Sequence, residues 1–248
     1  MLLKGKIAVI AGASGGIGRE ISLALAKNGV NLVLVARRMA VLEALAKDTR
    51  SLGVNTWILT CDFTKPKSIG KLASKITQRY KKIDLLFHLA GIGLYKKFNE
   101  ISADEWQRSL DINVTSVFYL TQKLLPQLIA ADKSYVIASG SGMGKVALSG
   151  RSPYCASKFA LRGLMLSLAK EYKNSNVHFI LLTLGSVLTS FGPLSFEEKM
   201  DKQKRGKKYI DPTWLAHHIV TRIEHDTLDA ETPIYPSHYF EESKKDKR

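Results

Sequence analysis

Ile7-Ala8-Val9-Ile10-Ala11-Gly12-Ala13-Ser14-Gly15-Gly16-Ile17-Gly18-Arg19-Glu20-Ile21-Ser22-Leu23-Ala24-Leu25-Ala26 decides the reading of this chain. Five apolar residues, too few for a buried helix, run into a glycine-rich turn and then into an amphipathic stretch of helical period. Glycines let such a turn take positive φ and let an anion approach the backbone. The helix that follows offers free N–H groups and the positive end of its dipole. The glycines fall at 12, 16 and 18 rather than in the commoner G-x-G-x-x-G. A purely structural turn has the same composition, but the strand–loop–helix context favours a nucleotide diphosphate held by Gly12, Ser14, Gly15, Gly16, Ile17 and Gly18.

The pattern repeats along the chain. Short apolar runs predict strands at Ile7–Ala11, Asn31–Ala36, Asn55–Thr60, Ile83–Leu89, Tyr135–Ser139 and Val177–Thr183. Amphipathic stretches predict helices at Ile17–Asn28, Ala40–Leu52, Lys67–Tyr80, Ala103–Ile129, Pro153–Tyr172 and Pro212–Glu224. Strands alternating with helices give an α/β fold, a parallel sheet wrapped by helices. Ile234–Pro236 is a further edge strand, because proline is tolerated there. No repeat or linker divides the chain, so residues 1–240 read as one domain and 241–248 as a basic, disordered tail.

The second strand ends at Ala36 and is followed by Arg37 and Arg38. Binders of NAD commonly place an acid here for the ribose 2′-hydroxyl. Two arginines suit the 2′-phosphate of NADP(H), with a plain surface cation as the alternative. Asp62, followed by Phe63 after the third strand, can accept from an adenine amino group or cap the next helix.

Tyr154 and Lys158 stand one helical turn apart, with Ser141 thirteen residues before the tyrosine. Positions i and i+4 share a helix face. The ammonium beside the phenol would pull its pKa of about 10 toward neutrality and ready it for proton transfer. Ser141, from a strand end, would hydrogen-bond the substrate oxygen. A second pair, Tyr119 and Lys123, has Trp106 at the matching upstream position and reads as helix surface.

With these residues in place the chain resembles the short-chain dehydrogenase/reductase family, over about residues 4–190 and more loosely to 236. Five motifs in order carry the resemblance: the Gly12/Gly16/Gly18 loop, Asp62, Ala90-Gly91, Asn113 in Asp111-Ile112-Asn113-Val114, and Ser141/Tyr154/Lys158. It implies a single α/β domain, a Rossmann-like doubly wound parallel sheet of about seven strands flanked by helices, and a tetrad of Asn113, Ser141, Tyr154 and Lys158. In the family the asparagine holds a water in a proton relay, the lysine also binds the nicotinamide ribose, and the tyrosine is the acid/base. Gly185, Val187 and Thr189 match the segment against the carboxamide.

There are departures. Ala11 replaces a threonine, His88-Leu89 two asparagines, Ser139-Gly140-Ser141 a serine pair, and Leu184 a proline. Counting back from Tyr154 favours Ser141 over Ser139, and His88 reads as a structural hydrogen-bonding residue. The ending Thr232-Pro233-Ile234-Tyr235-Pro236 lacks the Val-Asp-Gly-Gly of bacterial carrier-protein reductases. It looks more like enzymes acting on small hydroxy acids, amino acids or assorted carbonyls.

The function implied is NADP(H)-dependent interconversion of a ketone or aldehyde and an alcohol in a homodimer or homotetramer. A non-enzymatic NADP-binding regulatory or sensor protein, or a 3-oxoacyl-carrier-protein reductase-like enzyme, are the alternatives. Substrate-pocket residues fall in segments 94–98, 142–150 and 186–208. Much of the net charge of +15 lies in Lys199–Lys208 and in the tail. The first run follows Thr189 and, broken by Gly206, reads as a mobile cationic lid favouring anionic carbonyl substrates, or as a solvated charge run. No basic strand interleaved with aromatics argues for nucleic acid. Cys61 and Cys155 show no metal spacing, no apolar run reaches bilayer length, and the start is a poor signal peptide, so a reduced, cytoplasmic protein is expected.

Overall fold

A computed structural model describes residues 1–245. Strands β1 (Ile7–Ala11), β2 (Asn31–Ala36), β3 (Thr56–Thr60), β4 (Leu85–His88), β5 (Ser134–Ser139), β6 (Val177–Leu184) and β7 (Glu231–Ile234) form one parallel sheet in the order β3-β2-β1-β4-β5-β6-β7. Alternation sorts the strand side chains between two cores. Ala8 and Ile10 face α1 (Gly16–Lys27), α2 (Met39–Arg50) and α8 (Pro212–Glu224). Val9 and Ala11 face α3 (Pro66–Arg79), α5 (Ser116–Ile129) and α6 (Ser152–Glu171). Each large side chain so buried contributes about 1.5–3 kcal/mol.

The strand order reverses between β1 and β4, which pair with opposite neighbours. Loops leaving the two carboxyl ends diverge there, so a crevice opens at that point. Leu89 and Ala90 both donate their N–H groups to the Ala11 carbonyl at 2.8 and 2.9 Å, holding the crevice floor together. His88 stays in the core, with its Nε2 2.8 Å from Thr121 Oγ1, and burial pushes its pKa down to about 3. That is the structural role expected of it.

Four segments differ from the sequence expectations. The predicted helix 103–129 is two helices, α4 (Ala103–Leu110) and α5, joined by a π-helical turn at Asp111–Thr115. The first half of Lys199–Lys208, read as a mobile lid, belongs to α7 (Phe196–Lys204), started by a reciprocal capping box between Ser195 and Glu198. The edge strand lies at Glu231–Ile234, with Pro233 opposite Thr183.

Helix α9 (Pro236–Lys245) carries the chain into the expected disordered tail 241–248, of which 246–248 lie outside the described residues. It is anchored by Tyr239 on Trp214, ring centres 5.1 Å apart, and by Glu242 3.5 Å from His218. Among the described residues no helix is long and apolar enough to cross a membrane.

Candidate active site

The loop after β1 lies on the crevice floor, and its glycines are required for steric reasons. Gly12 has φ +96°, and a Cβ there would sit 2.3 Å from the Ala90 nitrogen. A Cβ on Gly16 would come within 2.6 Å of Thr189 Cγ2, so bulk at either residue would close the cradle. Gly15 caps α1 with no side-chain acceptor, and the first turn carries no acid. The N–H groups and dipole of α1 therefore stay available to an anion.

Ser14, Gly15, Gly16, Ile17 and Gly18 line the cleft together with Gly12, Arg37, Asp62, Phe63, Ala90, Gly91, Gly185, Val187 and Thr189. Arg38 does not line it and stands exposed at the N-cap of α2. Asp62 Oδ1 accepts from the Thr64 N–H and hydroxyl at 3.1 and 2.8 Å. That Asx turn holds the carboxyl below its usual range, while α3 itself is capped by Lys65.

Beyond the loop, α6 presents Tyr154 and Lys158 on one face, both at least 95% buried. Ser141 hydrogen-bonds the Tyr154 hydroxyl and also accepts from the Met143 N–H at 3.2 Å. Ser139 instead donates to the His88 carbonyl, which separates the two serine candidates. Lys158 Nζ donates to the Ser139 carbonyl at 2.7 Å and lies 5.6 Å from the centre of the Tyr154 ring.

The electrostatics correct the expected tuning. Burial dominates and pushes the Tyr154 phenol up, with the Ser141 hydrogen bond pulling it partly back. Burial also lowers Lys158 to about 8. The ammonium points to the Ser139 carbonyl rather than to the phenol oxygen, so it does not bring the phenol toward neutrality here.

Asn113 lies inside the π turn and is 1% exposed. Its Oδ1 accepts from the Ile92 N–H at 2.9 Å, and its Nδ2 donates to the Ile92 carbonyl and to Ser157 Oγ at 3.0 and 2.9 Å. A Cβ on Gly91 would lie 3.2 Å from Asn113 Oδ1 and 4.0 Å from Lys158 Nζ. The turn thus fixes the loop after β4 beside the lysine, and π turns are frequent at functional sites. Tyr119 and Lys123 lie on α5 away from the cleft, the lysine exposed as expected of helix surface but the tyrosine half-buried against the core.

Residues 6–199 match the family model for short chain dehydrogenases. The chain belongs to that family. It is 30% identical over 245 residues to an NADP-dependent 3-hydroxy acid dehydrogenase of Schizosaccharomyces pombe, covering 95% of this chain and 94% of that protein. It is 28% identical over 221 residues to glycine betaine reductase of Emericella nidulans, covering 88% of this chain but only 17% of that longer protein. An alcohol dehydrogenase from the archaeon Thermococcus sibiricus, solved with 5-hydroxy-NADP, superposes with a TM-score of 0.80 at 26% identity, covering 94% and 96% of the two chains.

Several residues of this short-chain dehydrogenase had only a segment to point to them. The cleft measures about 960 Å³, and Tyr95 and Phe191 flank Tyr154 in it, their ring centres 5.7 and 5.9 Å away. Both lie in the predicted pocket segments. Arg151 falls one residue beyond them, its guanidinium 4.8 Å from the Tyr95 ring centre.

Lys202, Arg205 and Lys207 also line the cleft, as a cationic lid requires. Lys199 does not serve as free charge. It is buried on α7, and its ammonium donates to the Thr189 carbonyl at 2.7 Å and to that of Phe191.

Behind the Ser141 loop, Glu231 on β7 gathers Arg162 of α6 in a bidentate pair, Thr183 of β6 at 2.8 Å and Lys145 at 3.0 Å. The Arg162 hydrogen bonds lead in holding this carboxyl down, to about 2. A carboxyl lowered on folding adds stability above its unfolded pKa and loses it as pH falls through the folded value. Glu231→Gln should therefore cost about 1.5–3 kcal/mol at neutral pH. The difference from the parent should shrink as pH falls below the ordinary range near 4.5 toward about 2. Urea unfolding at several pH values checks this, and a pH-independent difference would exclude an electrostatic origin.

Proposed function

We propose that this oxidoreductase uses NADP(H) to interconvert a ketone or aldehyde and an alcohol. The observation that carries the reading is the group of Ser141, Tyr154 and Lys158 on the wall of the cleft whose floor is the glycine loop. The residues fit a dinucleotide. The cradle at Gly12 and Gly16 is one that a Cβ would fill, α1 opens toward it without an acid, and Arg37 stands beyond β2 where an acid would select NAD.

The diphosphate would lie on Ser14 to Gly18, the adenine near Asp62 and Phe63, and the nicotinamide half near Gly91, Lys158, Val187 and Thr189. When bound, the nicotinamide supplies or accepts the hydride. Ser141 and Tyr154 hold the carbonyl oxygen, and Tyr154 moves the proton. The upward shift of the buried phenol keeps it protonated, the state needed for reduction. Lys158 is a donor to the ribose and a charge that steadies the phenolate formed on proton transfer. Asn113 holds the Ile92 backbone and so the position of Gly91.

The cofactor assignment is tested by measuring dissociation constants for NADPH and NADH. NADPH should bind about ten- to a hundredfold more tightly, the worth of a charge-assisted phosphate contact of roughly 1.5–3 kcal/mol. Arg37→Asp should erase or reverse that preference. Equal constants in the parent protein would remove the NADP assignment. A panel of carbonyl substrates followed by NADPH consumption tests the reaction itself.

A further inference from the structure

Arg151 is a cation in the cleft with no carboxylate partner among the described residues. It immediately precedes α6, three positions before Tyr154, and is only partly exposed. Its guanidinium lies over Tyr95, whose ring packs on Tyr154. Its hydrogen-bonding partner is Met143 Sδ at 3.5 Å, and a thioether is a weak acceptor. The buried lysines of the cleft are engaged, Lys158 by the Ser139 carbonyl and Lys199 by that of Thr189, and nearby Arg162 and Lys145 pair with Glu231.

A guanidinium presents donors in a planar fork that matches a carboxylate, and its rigidity preserves that geometry. Here the fork lies over Tyr95, whose ring packs in turn on that of Tyr154, the residue that would carry the proton. Lys202, Arg205 and Lys207 line the same cleft, and none pairs with a carboxylate among the described residues. They attract anions at range without fixing an orientation.

We propose that Arg151 binds the carboxylate of the substrate, and that the substrate pair is an oxo acid and its hydroxy acid, with a few carbons between carboxylate and carbonyl. This rests on the carbonyl–alcohol reading above. The reaction balances as oxo acid, reduced nicotinamide cofactor and one proton giving hydroxy acid and oxidised cofactor. The hydride forms the new C–H bond, the carbonyl π pair takes the Tyr154 proton, and the phenolate is reprotonated from water. Arg151 keeps its charge throughout and sets which end of the substrate faces Tyr154.

The experiment is calorimetric titration of the protein saturated with NADP⁺, which cannot reduce a carbonyl. The probes are 2-oxobutanoate, 3-oxobutanoate and 4-oxopentanoate, each against its primary amide. At least one acid should bind about ten- to a hundredfold more tightly than its amide. Arg151→Met should lose that preference, the acid falling far more than the amide, and Arg151→Lys should restore part of it. With NADPH, kcat/KM should follow the same order, mainly through KM. An unchanged NADP⁺ affinity in each variant reports that it is folded.

Equal binding of acids and amides by the parent, or equal losses for both in Arg151→Met, would overturn the proposal. Turnover of the amides in that case would leave the carbonyl–alcohol reading standing. Acid binding that depends on Arg151 without turnover of any carbonyl would instead overturn that reading and keep the carboxylate site.

Discussion

Tyr154→Phe is expected to cut turnover of any accepted carbonyl by about 10² to 10⁴, the usual worth of a positioned proton donor. The fold and the NADPH dissociation constant should hardly change. The substitution removes one hydroxyl and leaves the ring packed between Tyr95 and Phe191. Its local cost is the hydrogen bond to Ser141. Tyr119→Phe is the matched control, because Tyr119 has the same i+4 lysine and lies outside the cleft. It should leave kcat within about twofold, because the hydroxyl it removes lies outside the cleft and large effects need a named mechanism at the site. Stopped-flow or steady-state NADPH oxidation, paired with cofactor titration, measures both. Full activity in Tyr154→Phe would remove the acid/base role.

Gly12→Ala should destabilise the protein by about 2–5 kcal/mol, combining a strained left-handed φ with backbone overlap. The overlap is with Ala90 N at 2.3 Å and Leu89 C at 2.6 Å, atoms held by their own hydrogen bonds to Ala11. Relief would require β1 and β4 to part at the crevice, so NADPH binding should weaken along with stability. Gly5 separates the two causes. Its φ of +79° is also left-handed, but nothing lies within 4 Å of a Cβ there. Gly5→Ala should cost only the conformational penalty of about 1–2 kcal/mol. Urea midpoints for the two variants compare them, and equal losses would mean that the contact with β4 is not what fixes Gly12.

The sheet was legible because each strand is a short apolar run next to an amphipathic helix, and the order of motifs located its crevice. β1, β2 and α8 have the predicted bounds. What escaped the sequence depends on partners distant along the chain. Nothing in Asp111-Ile112-Asn113-Val114-Thr115 breaks a helix by propensity. The π turn accompanies an Asn113 side chain that bonds the backbone of Ile92, twenty-one residues away. α7 was legible in principle from the Ser195–Glu198 capping spacing, but its run of charges resembles a loop.

The neighbours of Arg151 and Tyr154 are contributed by three separate loops, so their meeting has no local signal. The direction of the Tyr154 shift has no local signal for a related reason. The i+4 spacing places Lys158 near the ring, whereas burial by Tyr95 and Phe191 and the pull of the Ser139 carbonyl on the ammonium are tertiary.

Lys199 gives the substrate side of the cleft its mechanics. Its ammonium, anchored to the carbonyls of Thr189 and Phe191, closes residues 189–199 into a non-covalent ring that begins at the cradle and ends inside α7. Phe191 packs on Tyr154 at one end of this ring, and Lys202 and Arg205 extend from the other. Any displacement of α7 would therefore act as a lever on Phe191. Exposure of the phenol and retreat of Lys202 and Arg205 from the cleft would then be one motion.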